Sequence, residues 1–495
     1  MSAHEIQSAI PTLFYRTDDN INGVTLGLKR SRGVITGQRS LVFSVTKKLP
    51  ATVVSADALI PKEIEVDGVT YVTDVVERSP AVFLDCENPQ TVIDRLAGIP
   101  HIQLPMRGGQ EIIQFPDGWQ SQSIPGINYY QEGYSTGTLG FFGVDASDGN
   151  VVGVTNTHVV VEKLYRVNNF LGGRAAEQEA LNPANIYEPR RWVLNGQSYA
   201  PGAMISDNGT LYIISSRIKR YQPFTRGFGV SDYNEVDAAL IEINDYPLSP
   251  DGTYLPAAPI ISETSYRIWE PSDTDPPNHA YLPFATTAEL DALDPLAAYE
   301  TDANPRLYFT GATSGRKGYG TTDECKLKIW AGNGTFAVDD NTFTGAIQVG
   351  GVTTGTVDGT VFKNIFEFRH VVEVPSVMPS DNGDSGSAIL ADIDGVRKIV
   401  GLLFAGQKET RAETIDSVSV TNTYGMGLFC RIDKVAAKMN VQPWLANCTF
   451  QNQHIKPSVV ITDYAQGQND TLTISGKTYY QVGATMQRGY TIHTP

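Results

Sequence analysis

Cysteine is scarce in this chain. Only Cys86, Cys325, Cys430 and Cys448 occur among 495 residues, and they are widely scattered. That excludes a disulfide-stapled scaffold, and no Cys/His spacing suits zinc. Free thiols in a reducing, cytoplasmic setting are expected, with no metal and no cofactor. Long apolar runs are missing too. No stretch of 18 apolar residues exists, so no membrane span is expected. The first residues, Met1-Ser2-Ala3-His4-Glu5-Ile6-Gln7, hold neither a basic region nor an apolar stretch and do not read as a secretory signal. Positive charge is in deficit. Against 54 Asp and Glu stand 38 Lys and Arg, a net charge of −16, which argues against nucleic acid as a partner of the bulk surface.

Turn formers are plentiful. The chain has 46 Gly and 28 Pro, and many short Val/Thr/Ile/Tyr runs lie between turn signals. This pattern predicts a mainly β body with few helices. The length suggests about three domains.

One five-residue run stands out: Gly383-Asp384-Ser385-Gly386-Ser387. A Ser flanked by Gly in a tight turn is how a chain presents a nucleophilic hydroxyl, and an apolar strand run follows at once. A lone Ser is a weak nucleophile. It needs a base and a group that orients the base. The candidate base is His158, where the apolar strand of residues 151–155 gives way to small polar residues. The candidate orienter is Asp237, which opens the short apolar strand of residues 238–243. Blander readings exist for each: a Gly-rich turn for Ser385, a strand-end histidine for His158, and a turn residue for Asp237. Asp232 and Asp245 are the nearest competitors of Asp237, but neither opens a buried strand so cleanly. The chain order His, Asp, Ser separates this set from the subtilisin and α/β-hydrolase orders.

These segments resemble the trypsin-like serine proteases. The run at 383–387 matches that family's nucleophile motif. Residues 155–160 resemble its His motif in the bacterial variant with Asn before the His, and residues 237–243 resemble its Asp motif. Residues 398–406 resemble the cleft strand after the nucleophile. Residues 424–430, followed by 431–440, read as the last barrel strand and a C-terminal helix. The Gly-Val-x-x-Gly-x-Lys run at 23–29, Thr36-Gly37, Lys47-Lys48-Leu49-Pro50, the Gly-rich entry at 136–140 and residues 313–318 resemble a bacterial and plant subgroup that includes the plant narrow-leaf protein. The resemblance spans most of residues 20–440 and is loose between motifs. It implies a chymotrypsin-like double β-barrel with insertions, a protein or peptide substrate, and assembly into a homo-oligomer. It also implies roles: His158, Asp237 and Ser385 catalytic, the Gly383 and Ser385 N–H groups as oxyanion hole, and Pro379, Phe404, Ala405 and Gly406 around the substrate cleft. Pro379 falls at the pocket base. No acid stands there, so an uncharged residue is the expected preference rather than Arg or Lys.

The spacings locate insertions. From His158 to Asp237 is 79 residues and from Asp237 to Ser385 is 148, longer than a compact two-barrel protease uses. The added length is expected at 162–210, 246–305, where residues 287–298 read as a short helix, and 331–360, where Gly and Thr alternate with apolar residues as in extra hairpins. The expected division is a small α+β module at 1–125, a protease domain at 126–445 and a β-rich extension at 446–495. In the first, residues 23–29 and 41–45 read as strands, 64–72 as a hairpin about Asp67-Gly68, and 87–97 as a short helix. In the last, strands are expected near 459–464, 471–475 and 478–482.

Asp384 raises a separate question. In digestive members of the resembled family this carboxylate pairs with a newly cut N-terminus, yet no Arg-Ile-Val-Gly-Gly run precedes the barrel here. Either another internal group satisfies it, or the oxyanion turn waits for an activating event. Two non-enzymatic readings compete with the endopeptidase: a protease-like scaffold that binds a partner, and a β-rich structural or assembly protein.

Overall fold

The fold comes from a computed structural model. It describes residues 20–31, 34–56, 58–66, 68–84, 104–114, 135–161, 217–225, 233–243, 259–262, 264–268, 281–293, 305–339, 360–415 and 418–445, with isolated residues and short strands elsewhere. The chain is mainly β, as its turn-punctuated Val/Thr/Ile/Tyr runs predict.

The N-terminal strands are β1 (Ile21–Ser31), β2 (Val34–Val45), β3 (Glu63–Val66), β4 (Val69–Glu77) and β5 (Ala81–Phe83). Next come β6 (Glu111–Gln114), β7 (Ser135–Thr138), β8 (Phe141–Asp145), β9 (Val151–Thr155), β10 (Arg217–Tyr221) and β11 (Ala239–Glu242). The C-terminal set is β12 (Leu307–Gly311), β13 (Gly315–Lys317), β14 (Leu327–Asp339), β15 (Thr360–His370), β16 (Ala388–Ile393), β17 (Val396–Ile415), β18 (Val418–Arg431) and β19 (Val441–Pro443). Among the described residues, helices follow at α1 (Thr157–Val160), α2 (Thr287–Ala292) and α3 (Ile432–Met439).

Two sheets frame the body. A twelve-stranded sheet runs β13-β12-β16-β17-β18-β15-β14-β1-β2-β4-β3, and β5 pairs with β14 and β17. A five-stranded sheet runs β10-β11-β9-β8-β19. The strands at 23–29 and 41–45 fall inside β1 and β2. The Asp-Gly hairpin is β3–β4, with Gly68 at φ 78°. These N-terminal strands continue the large sheet, because β1 pairs antiparallel with β14. Val24, Leu41 and Phe43 are fully buried in that stretch, and each such side chain is worth about 1.5–3 kcal/mol.

The expected helix at 287–298 appears as α2. It starts in a capping box, where Thr286 Oγ1 accepts from the Glu289 N–H and Glu289 reaches back to the Thr286 N–H. α3 ends at Asn440, whose left-handed φ of 49° closes the helix. The cleft strand read at 398–406 is longer than its apolar run. It continues to Ile415, where it pairs with Val418 of β18, because the partner strand satisfies its backbone after the apolar residues end. Residues 347–349 and 352–355 form an extra hairpin. In the C-terminal stretch, short strands occur at Val459–Val460, Thr471–Ile474 and Lys477–Tyr480. The helix read at 87–97 lies outside the described residues, as do most of 162–210 and 246–305. Among the described residues no helix is long and apolar enough to cross a membrane.

A buried ionic network ties the N-terminal strands to the large sheet. Arg78 donates to Glu367 (2.9 Å) and Glu409 (3.2 Å). Arg369, fully buried, donates to Glu367 (2.6 Å), Glu373 (2.6 Å) and Glu409 (2.8 Å). Arg411 joins Glu409 to Glu373, and Arg30 reaches Glu373 from β1. The Trp330 ring carries the Arg369 guanidinium at 4.9 Å. Burial opposes every charge here, but the surrounding guanidinium groups outweigh it and hold the Glu373 and Glu409 carboxyls well below their ordinary values.

Two outcomes follow. Arg78→Met leaves two buried carboxylates short of a partner and should cost about 3–5 kcal/mol, read as a lowered thermal unfolding midpoint. Because the native carboxyl pKa values are depressed, the network's contribution is full above the ordinary Glu value of about 4.3. It is lost as pH falls below that toward the native values, so urea midpoints measured from pH 6 down to pH 3 should decline steeply below about pH 4.

Candidate active site

The five-stranded sheet brings His158 to Asp237. β9 and β11 pair with Thr155 opposite Ala239, so the residues just past one strand face those just before the other. Two polar side chains lock this junction. Asn156 Nδ2 donates to the Asp237 carbonyl (2.6 Å), and Thr157 Oγ1 to the Ala238 carbonyl (2.8 Å). The chain then enters α1. The His158 N–H donates to Asp237 Oδ1 (3.2 Å), and its ring Nδ1 is in hydrogen-bond contact with Asp237 Oδ2. A carboxylate can only accept, so this contact places the ring hydrogen on Nδ1 and leaves Nε2 as the basic nitrogen. Behind the pair, the Asp237 N–H donates to Cys430 Sγ (3.4 Å). Burial, with the Asp237 charge beside it, pushes the Cys430 thiol far up.

The turn of residues 383–387 enters the large sheet at β16. Gly383 and Gly386 sit at φ 95° and 94°, where a side chain is strained. Thr138 clamps the turn from β7: its Oγ1 donates to the Gly383 carbonyl (2.8 Å) and its N–H to the Ser385 carbonyl (2.7 Å). A Cβ on Gly386 would run into the Thr138 carbonyl. Ser387 Oγ closes the turn on the Asp384 carbonyl (2.7 Å). The Ser385 hydroxyl donates to the Phe404 carbonyl of β17 (3.1 Å).

Asp384 has internal partners. Its Oδ1 accepts from the N–H groups of Thr313 (3.2 Å) and Ser314 (2.9 Å), and its Oδ2 from that of Asp381 (2.8 Å). Burial pushes its carboxyl above the ordinary range, and the hydrogen bonds from Ser314, Asp381 and Thr313 pull against that. Of the two alternatives posed by the sequence, an internal partner is the one realised.

Residues 83 and 84 bridge the two halves of the site. The Phe83 ring stacks on His158, with centroids 4.6 Å apart and planes at 29°. It also meets Phe224 (5.5 Å), Phe362 (6.1 Å) and Phe404 (6.2 Å). Leu84 follows, and its carbonyl accepts from the Gly383 N–H (2.6 Å). Phe404, Ala405 and Gly406 lie along β17 beside β5, with Ala405 opposite Phe83 and Gly406 opposite Val82. A Cβ on Gly406 would sit 2.9 Å from Leu84 Cδ2, and one on Gly425 would crowd Met378 and Pro379. His158, Asp237 and Ser385 are each 0% exposed. The sequence pattern points to neither Phe83 nor Leu84 for this site, nor to Thr138 as its clamp. Nothing in their local pattern marks them: 81–84 is a short apolar run after Pro80, and its position depends on strand pairing.

No family model matches the chain, and no curated protein matches it. Among solved structures, the chain is similar to one described as a glutamic acid-specific serine protease that uses a histidine triad in substrate binding. The identity is 12%, the match covers 68% of this chain and 100% of that one, and the TM-score is 0.27. A likeness that slight carries no argument about the site.

Gly386→Ala tests the turn. The strained backbone and the collision with Thr138 should cost more than about 2 kcal/mol, seen as a lower melting temperature than wild type.

Proposed function

We propose that this chain is a serine endopeptidase acting through His158, Asp237 and Ser385. The observation that carries the reading is a peptide carbonyl, that of Leu84, held by the Gly383 N–H in the turn that bears Ser385, with His158 oriented by Asp237 across the same residues. In this reading Ser385 Oγ attacks a substrate carbonyl carbon. His158 Nε2 takes the hydroxyl proton and passes it to the leaving amine. Asp237 holds the imidazole tautomer and stabilises the imidazolium. The Gly383 and Ser385 N–H groups receive the developing oxyanion, and one such donor is worth about 3–4 kcal/mol. Water then releases the acyl group by the same route in reverse.

The surroundings favour uncharged substrates. Leu84 packs against Gly406, and Pro379 backs Gly425, with no acid at position 379 to attract Arg or Lys. The free thiols of Cys325 and Cys430 agree with a reducing, cytoplasmic setting, and we carry the homo-oligomer forward as part of the same reading. The protease-like scaffold has one observation on its side: Ser385 and His158 are completely covered.

Fluorophosphonate labelling separates the two readings. It is applied to wild type, to Ser385→Ala, and to Phe83→Ala, which removes the ring over His158. Covalent labelling of Phe83→Ala that disappears when Ser385→Ala is added is the expected outcome. Absence of label from both wild type and Phe83→Ala would leave the scaffold reading. Asp237→Asn should slow peptide hydrolysis by about 10⁴-fold, with little change in the melting temperature.

A further inference from the structure

Residues 79–84 pair along β17 beside the turn that bears Ser385, and in a specific register. The Ser79 N–H donates to the Lys408 carbonyl (2.9 Å), Val82 and Phe83 pair antiparallel with Gly406 and Ala405, and the Leu84 N–H donates to the Phe404 carbonyl (3.2 Å). This is how an extended peptide adds to a sheet edge: backbone bonds hold it and alternate side chains enter pockets. The run ends where the chemistry would begin. The Leu84 carbonyl accepts from the Gly383 N–H, the donor assigned above to the oxyanion, and the Phe83 ring stacks on His158.

We propose that the chain is its own substrate: residues 81–84 lie in the cleft in cleavage register, and Ser385 cuts the peptide bond that follows Leu84. This rests on the endopeptidase reading and adds a processing site and a substrate class to it. The step balances within the protein and water. Ser385 Oγ forms an ester bond to the Leu84 carbonyl carbon, and the C–N bond to Asp85 breaks. The hydroxyl proton passes through His158 to the departing Asp85 amine. Water then hydrolyses the ester, leaving a carboxylate at Leu84 and regenerating Ser385. Two features make residues 81–84 a durable occupant rather than a passing one. Arg78, just upstream, is fixed by its ion pairs with Glu367 and Glu409, and the Gln407 amide donates to the Ser79 carbonyl (2.8 Å). The new Leu84 carboxylate therefore stays beside Gly383 and competes with outside peptides. The substrate class that fits the same pockets is a peptide cut after Leu or a similar apolar residue, with an aromatic residue preceding it.

Intact-mass spectrometry of the purified full-length protein, followed over a long incubation, tests this. Wild type should accumulate one fragment ending at Leu84 and one beginning at Asp85. Ser385→Ala should stay whole, and Asp237→Asn should cut about 10⁴-fold more slowly, which guards against a misfolded alanine variant. Leu84→Glu should lose that cut because Leu84 is buried among apolar side chains. If Phe83→Ala labels with fluorophosphonate while wild type never breaks after Leu84, the self-substrate proposal fails and the endopeptidase reading stands. A break after Leu84 that persists in Ser385→Ala also overturns the proposal. If neither labelling nor cutting occurs, the endopeptidase reading falls with it.

Discussion

The contact between Arg78 and the carboxylates of Glu367 and Glu409 is the constraint on which the site depends. It fixes the end of β4 against β15 and β17, and so sets where residues 79–84 run. A buried guanidinium between two carboxylates tolerates little displacement, because any slip leaves charge without a partner in a low-dielectric interior. Strand pairing then carries that position, residue by residue, from Glu409 to Phe404. The placement of Phe83 over His158 is thus decided several residues upstream.

The site draws its parts from three sheets, β7 pairing with β6 in a smaller one, and each part is held by hydrogen bonds to backbone. The His158–Asp237 pair owes its geometry to the β9–β11 register and to Asn156 and Thr157. The 383–387 turn owes its geometry to Thr138, reaching across from β7, and to the two left-handed glycines. Asp384 is balanced by three backbone N–H groups. These supports are amides and hydroxyls rather than mobile charged side chains, and the endopeptidase proposed above would use such a preorganised arrangement.

Much of this was legible in the sequence, and for a stated reason. Turns and strands of this chain are set by local chemistry: Gly where φ is positive, as at Gly68, Gly383 and Gly386, and β-branched and aromatic runs between. The segments carrying His158, Asp237 and Ser385 could be picked out because each of these residues sits close to where a strand begins or ends. Local patterning was less informative about extent. The strand at 396–415 outlasts its apolar residues because β18 pairs with it, and strand pairing is a property of two segments rather than one.

The sequence by itself determined the mainly β character, the candidate site residues and their chain order, since these follow from turn chemistry, period-two patterning and residue type. Only the tertiary structure decided that the N-terminal strands extend the large sheet, that Asp384 accepts from Thr313, Ser314 and Asp381, and that residues 83 and 84 lie against His158 and the turn that bears Ser385. The physical reason is common to all three. Each depends on which segments distant in the chain meet, and hydrogen bonds such as those of Asp384 with Thr313 and Ser314, or of Leu84 with Gly383 and Phe404, leave no local trace in either segment.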